Sequence, residues 1–198
     1  MVLFIDEEKS PVIQSKKGGK GQMDKGMIHV YYGEGKGKTT AAFGLVFRAV
    51  GQGKKVLVCQ MLKDGKSGEI LATKLYVGQV DIIEGYDFTG FADPSQKDEW
   101  ERTQKQQQGK FEALLEKMEQ GEYDLVLIDE LCAAVNLGII TEEMLRQLLI
   151  KKPHHTEMVI TGREPHPLLL EAADYLSKIE CVKHPYEKGV PARKGIEW

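Results

Sequence analysis

Cysteine is scarce in this chain. The three thiols, Cys59, Cys132 and Cys181, lie far apart in apolar surroundings, so free buried thiols in a reducing compartment are expected rather than a disulfide framework or a metal cluster. Long apolar runs are also missing. No stretch approaches the roughly 20 residues needed to cross a bilayer, and Asp6, Glu7 and Glu8 follow the brief apolar opening at 2–5, unlike a signal peptide. A cytoplasmic protein with no membrane partner is expected. Net charge is small, −3 with a pI near 6.0, so no basic field recommends a dedicated nucleic-acid partner. Aromatic residues make up only 8% of the chain, which makes the gathering of Tyr86, Phe88 and Phe91 in one short loop unusual. Such a loop either packs down on itself or forms an apolar lid over a ligand.

What is present is enough for one core: 198 residues, 41% of them hydrophobic, form a single folded domain at 27–198. Residues 1–26 are a short apolar opening and then a Lys/Gly/Ser-rich segment, expected to be a flexible N-terminal arm.

The domain is organised around Gly33-Glu34-Gly35-Lys36-Gly37-Lys38-Thr39-Thr40. Between an apolar strand at 27–32 and an Ala-rich helix from 38, this is a phosphate-binding loop. Glycines let backbone N–H groups converge on an anion, Lys38 adds a mobile positive charge, and the Thr39 hydroxyl can hold magnesium. The usual spacing G-x-x-x-x-G-K-[ST] would place its first glycine at 32, where Tyr32 stands. The loop is therefore one residue short.

Further strands are expected at 55–61, 80–84, 123–129, 157–161 and 179–182, and helices at 69–76, 94–120, 141–150 and 167–176. The cluster Gln104 to Gln108 reads as the solvated side of the longest helix. Strand 123–129 ends in Asp129-Glu130, a Walker B arrangement in which a carboxylate serves a magnesium ion. Arg163, just beyond another strand end, is a candidate brace for a phosphate, with a surface ion pair as the alternative. The alternation of strands and helices predicts an α/β fold, P-loop NTPase-like (RecA-like), with a mostly parallel sheet flanked by helices. Mg-ATP is the expected ligand. Pattern alone leaves open a P-loop ATPase or small-molecule kinase, a non-catalytic ATP-binding module, or another ATP-dependent reaction.

From Met27 onward the chain resembles the ATP:corrinoid adenosyltransferases of the CobA/CobO/BtuR type. The resemblance rests on the shortened loop, Arg48-Ala49-Val50-Gly51, the strand ending in Asp129-Glu130, Thr161-Gly162-Arg163, Ala173-Asp174, Lys183-His184-Pro185 and the closing Lys194-Gly195-Ile196-Glu197. It implies a homodimer that moves the 5′-deoxyadenosyl group of ATP to the Co(I) centre of a corrinoid and releases triphosphate, in adenosylcobalamin synthesis or salvage. Cobalt is the nucleophile in that reaction, so no protein nucleophile is needed. An electron donor such as a reduced flavoprotein is implied as a partner. Carried onto matching positions, Gly33, Glu34, Gly35, Lys36, Gly37, Lys38, Thr39 and Thr40 would bind ATP with Arg163. Thr39, Asp129 and Glu130 would hold magnesium, and Lys38, Thr39 and Glu130 would support the transition state. Phe88 and Phe91 would lie against the corrinoid. Some relatives carry Phe-Thr-Trp in that region, where this chain has Gly90-Phe91-Ala92-Asp93.

Overall fold

The computed structural model describes residues 25–83 and 95–197. Residues 1–24 of the arm expected at 1–26, together with Phe88, Phe91 and Trp198, lie outside the described residues.

Six strands form one sheet in the order β3-β2-β4-β5-β1-β6. They are β1 (Ile28–Tyr32), β2 (Val56–Gln60), β3 (Val80–Ile82), β4 (Leu125–Asp129), β5 (Glu157–Gly162) and β6 (Tyr175–Lys178). Every pairing is parallel, as expected when helices serve as crossovers. The helices are α1 (Lys38–Val50), α2 (Gly68–Thr73), α3 (Lys97–Glu119), α4 (Leu131–Asn136), α5 (Glu142–Lys151) and α6 (Pro167–Ala172).

Period-2 alternation explains the three layers. Val56 and Val58 of β2 and Leu125 and Leu127 of β4 face Ala42, Phe43 and Val46 of α1. Leu57, Cys59, Val126 and Ile128 face the other way, onto Phe111 and Leu114 of α3 and Leu145 of α5. All five residues of β2 and of β4 are buried, as a parallel strand covered on both faces requires. Fully buried rings such as Phe43 and Phe111 each contribute roughly 1.5–3 kcal/mol.

The end of the chain departs from the expected helix at 167–176 and strand at 179–182. Helix α6 stops at Ala172 and the strand comes earlier, at Tyr175–Lys178. The cause is Asp174: its N–H donates to the Ile28 carbonyl and its carboxylate accepts from the Ile28 N–H, both at 2.9 Å. That two-sided grip draws the chain out of the helix and onto β1. Gly26, at the start of the described chain, donates its N–H to the His154 carbonyl at 2.7 Å, so the lead into β1 is pinned to the β5 side of the sheet.

Candidate functional site

The C-terminal ends of β1, β2, β4 and β5 open on one edge of the sheet, where ligands sit in open α/β folds. The phosphate loop runs from the end of β1 to the start of α1. Its cap residue Gly37 is left-handed (φ 111°) and no side chain caps the helix, so the first N–H groups of α1 are left to an anion. The Lys38 ammonium donates to the Gly35 carbonyl at 2.8 Å, which holds the charge over the loop.

The same loop is pressed against the segment after β6. Gly33 N–H donates to the Arg163 carbonyl at 2.9 Å and Gly35 N–H to the Ile179 carbonyl at 2.8 Å. A Cβ on Gly33 would lie 2.5 Å from the Ile179 oxygen, and one on Gly35 would lie 2.6 Å from the Glu180 oxygen. Close backbone approach, as much as turn geometry, thus demands glycine here.

Asp129 ends β4 with no exposure to solvent. Its carboxylate accepts four hydrogen bonds: Thr39 Oγ1 (3.0 Å) and Thr161 Oγ1 (2.6 Å) on Oδ1, and Gln60 Nε2 (3.0 Å) and Lys63 Nζ (2.6 Å) on Oδ2. Strand order accounts for this convergence. β5 lies between β4 and β1, so Thr161 bridges the ends of β4 and β5, and β2 brings Gln60 from the opposite side. Glu130, one residue on, is left-handed (φ 60°), and its N–H donates to Thr161 Oγ1 at 2.9 Å. Burial, then the Asp129 charge, raises the Glu130 pKa above its ordinary value, against the pull of Lys63, Lys38 and Arg163.

These residues suit a magnesium ion. Thr39 Oγ1 and Asp129 Oδ1 are 3.0 Å apart, close to the edge of about 2.9 Å of an octahedron with bonds of about 2.05 Å. Among the described residues no group of three or more His, Cys, Asp or Glu could hold a metal. Such an ion would therefore take few protein ligands and draw the rest from phosphates and water, as magnesium does.

A cavity of about 1130 Å³ opens beside these groups, lined by Lys36, Lys38, Lys63 and Lys66 together with Thr39, Thr40 and Glu130. Phe47, Leu62, Ala72 and Ile196 give it apolar walls. The C-terminal tail is part of that wall. Glu197 accepts from the Arg193 guanidinium at 2.9 Å and lies 3.4 Å from Lys36 of the loop. These partners, the Arg193 side chain first, hold its carboxyl down at about 2.

The structure brings together Lys38, Thr39, Asp129 and Glu130 as the sequence suggests. Arg163 sits against the loop but pairs there with Glu34, at 3.2 Å with both side chains largely exposed. Three residues at the site had been given no role beforehand: Gln60, Lys63 and the hydroxyl of Thr161. Their shared signal is position, since Gln60 and Thr161 lie at the C-terminal ends of parallel strands and Lys63 three residues past the end of β2.

The expectation that Gln104 to Gln108 form a solvated face also fails. Gln107 is buried and its Oε1 accepts from the Leu62 N–H at 3.0 Å, while Gln108 donates to the Ile139 carbonyl at 2.9 Å. One helical turn on, the buried Lys110 donates to the Gln60 carbonyl, and burial lowers its pKa. The polar side of α3 therefore clamps the chain where it leaves β2.

Residues 24–198 match the family described as ATP:corrinoid adenosyltransferase BtuR/CobO/CobP. The corrinoid adenosyltransferase of Escherichia coli (strain K12) is 36% identical over 183 residues, covering 89% of this chain and 88% of that protein. Corrinoid adenosyltransferase CobA of Salmonella typhimurium is 35% identical over 186 residues, covering 89% and 88%. The corrinoid adenosyltransferase of Pseudomonas aeruginosa is 29% identical over 198 residues, covering 96% and 93%.

Proposed function

From the chain's membership of the ATP:corrinoid adenosyltransferase family BtuR/CobO/CobP, we propose that it transfers the 5′-deoxyadenosyl group of ATP to the Co(I) centre of a corrinoid and releases triphosphate. The observation that carries this reading is the meeting of the short loop, the buried Asp129 and the lysine-lined cavity at one sheet edge. The electron pair of Co(I) forms the bond to C5′, the C5′–O bond breaks, and its pair leaves with the triphosphate. An external electron donor is needed to bring cobalt to that state.

The protein's part is to hold and orient rather than to attack. The loop from Gly33 to Thr40, with the first turn of α1, would bind triphosphate oxygens, and Lys38 would keep a charge at the leaving group. Arg163 stands near enough to Glu34 to join it once a phosphate competes for the guanidinium. Thr39, Asp129 and Glu130 would hold a magnesium ion, whose chemistry when bound is neutralisation of charge on the triphosphate. The tail at Ile196 and Glu197 walls the cavity and would exclude water from the reacting atoms. Phe88 and Phe91 are proposed to contact the corrinoid, residues 1–26 to serve as an arm over the site, and a homodimer as the working assembly.

The phosphorus product tests the reaction type. Adenosyl transfer leaves intact triphosphate, whereas an ATPase or a kinase leaves orthophosphate or a phosphorylated acceptor. Phosphorus NMR of the spent mixture, with ATP, magnesium and chemically reduced corrinoid present, separates them.

A further inference from the structure

We propose that Lys63 is a second triphosphate-binding cation, held in reserve on Asp129, and that it and a divalent ion compete for that carboxylate. Loading of the ion then releases Lys63 toward the triphosphate. This rests on the reading above that Thr39 and Asp129 hold magnesium.

Lys63 Nζ touches both of those groups, at 2.6 Å from Asp129 Oδ2 and 3.3 Å from Thr39 Oγ1. A carboxylate has about four acceptor positions, and Asp129 already accepts from Thr39, Thr161, Gln60 and Lys63. A metal ion bridging Thr39 Oγ1 and Asp129 Oδ1 takes the place of the hydrogen bond between them and sets a double positive charge beside the Lys63 ammonium, the one cation among these four partners. Thr161 and Gln60 are buried and belong to β5 and β2, and Thr39 is in the first turn of α1 and is itself a proposed ligand. Lys63 alone of the four lies outside regular structure, with 30% of its side chain exposed. It also lines the same cavity as Lys36 and Lys38.

The chain around Lys63 is built to keep it near Asp129 while leaving the segment after it room. Leu62 is left-handed (φ 55°), a conformation costly for a branched residue. It is held so by the bond from its N–H to Gln107 and by the Met61 N–H donating to the Asp129 carbonyl at 2.9 Å. Gly65, two residues after Lys63, is left-handed with open space where a Cβ would be.

The logic of exchange follows from burial. A buried carboxylate stripped of its cation is strongly destabilised, so Lys63 leaves Asp129 only when another cation takes its place. The ammonium set free is then within the cavity where the triphosphate binds. Lys63 and the ion are thereby linked: each weakens the other's hold on Asp129 while both favour the anion.

The test uses the full chain without corrinoid, so that it reads binding alone. Manganese binding without nucleotide is measured by electron paramagnetic resonance, and ATP binding at saturating magnesium by calorimetry. In Lys63→Met, manganese should bind about tenfold tighter and ATP at saturating magnesium about tenfold weaker, each near 1.4 kcal/mol. Lys63→Arg, which keeps the charge, should stay within about threefold of the parent in both. Manganese affinity that is unchanged or weaker in Lys63→Met overturns the proposal and leaves Lys63 a structural prop. Should that variant not fold, the parent protein labelled with [15N]lysine answers: the Lys63 ammonium signal, assigned with Lys63→Arg, must shift on addition of magnesium alone, and a fixed signal overturns the proposal. A parent protein that binds no Mg-ATP at all refutes the phosphate-loop reading itself. A parent that binds it, beside an unaltered Lys63→Met, refutes only the exchange.

Discussion

Thr161 Oγ1 donates to Asp129 Oδ1 at 2.6 Å and in the same position accepts from the Glu130 N–H at 2.9 Å. One hydroxyl thus fixes both acids at the end of β4 from the neighbouring strand. Replacing it by the isosteric Thr161→Val leaves a half-buried N–H and one lobe of a buried carboxylate short of a partner. The fold should lose about 1–3 kcal/mol, seen as a lower urea midpoint with an unchanged slope. A midpoint equal to the parent's would mean that water or rearrangement replaces the hydroxyl.

Lys38→Ala removes the charge held over the loop by the Gly35 carbonyl. Adenosyl transfer should fall by about 100- to 1000-fold, the usual cost of one lost stabiliser of developing charge, while corrinoid binding persists. Steady-state rates and a corrinoid binding titration check the two halves, and undiminished transfer would contradict the role given to the loop.

Gly35→Ala probes the squeeze between the loop and the segment after β6. The new Cβ would stand 2.6 Å from the Glu180 oxygen, so one backbone or the other has to move. Overpacking of this kind costs roughly 1–3 kcal/mol. Weaker ATP binding by calorimetry, with the helical circular dichroism retained, is the expected result.

Acid should undo the docking of the tail through Glu197. Its carboxyl sits at about 2 in the fold against an ordinary 4.5, so the folded chain binds fewer protons than the unfolded one between these values. The contribution is fully present above about pH 4.5 and is lost as pH falls toward about 2. In a carbon-detected titration the Glu197 carboxyl should titrate near the lower value, and Glu197→Gln should lack this acid-dependent step.

The central strands were legible because their residues are apolar on both faces and end in turn or acid signals, as in Val56–Gln60 and Leu125–Asp129. The loop and Asp129 were legible for a related reason: glycine spacing and a strand-end acid are local patterns. β6 was not, because all four of its residues are exposed and only the distant Ile28 pulls Asp174 out of the helix. Gln107 on α3 read as solvated because polarity was weighed above spacing. Thr103, Gln107 and Lys110 recur at intervals of four and three, in step with Phe111 and Leu114 on the buried side, and that spacing was the available signal. Lys63 was hidden by its glycine-rich loop, since its role depends on where β2 sits beside β4. The weight placed on Arg163 over Thr161 has the same origin: a guanidinium suggests a phosphate, but the buried hydroxyl is what the register brings to Asp129.

Adenosylation itself is tested most directly by the cobalt–carbon bond. The full chain is incubated with ATP, magnesium and chemically reduced corrinoid, and the absorption spectrum is followed before and after illumination. A light-labile alkyl-cobalt spectrum, formed in step with one triphosphate per corrinoid, is the expected result. Folded protein that binds ATP yet yields no such product, or that consumes ATP to orthophosphate with the corrinoid unchanged, would contradict it.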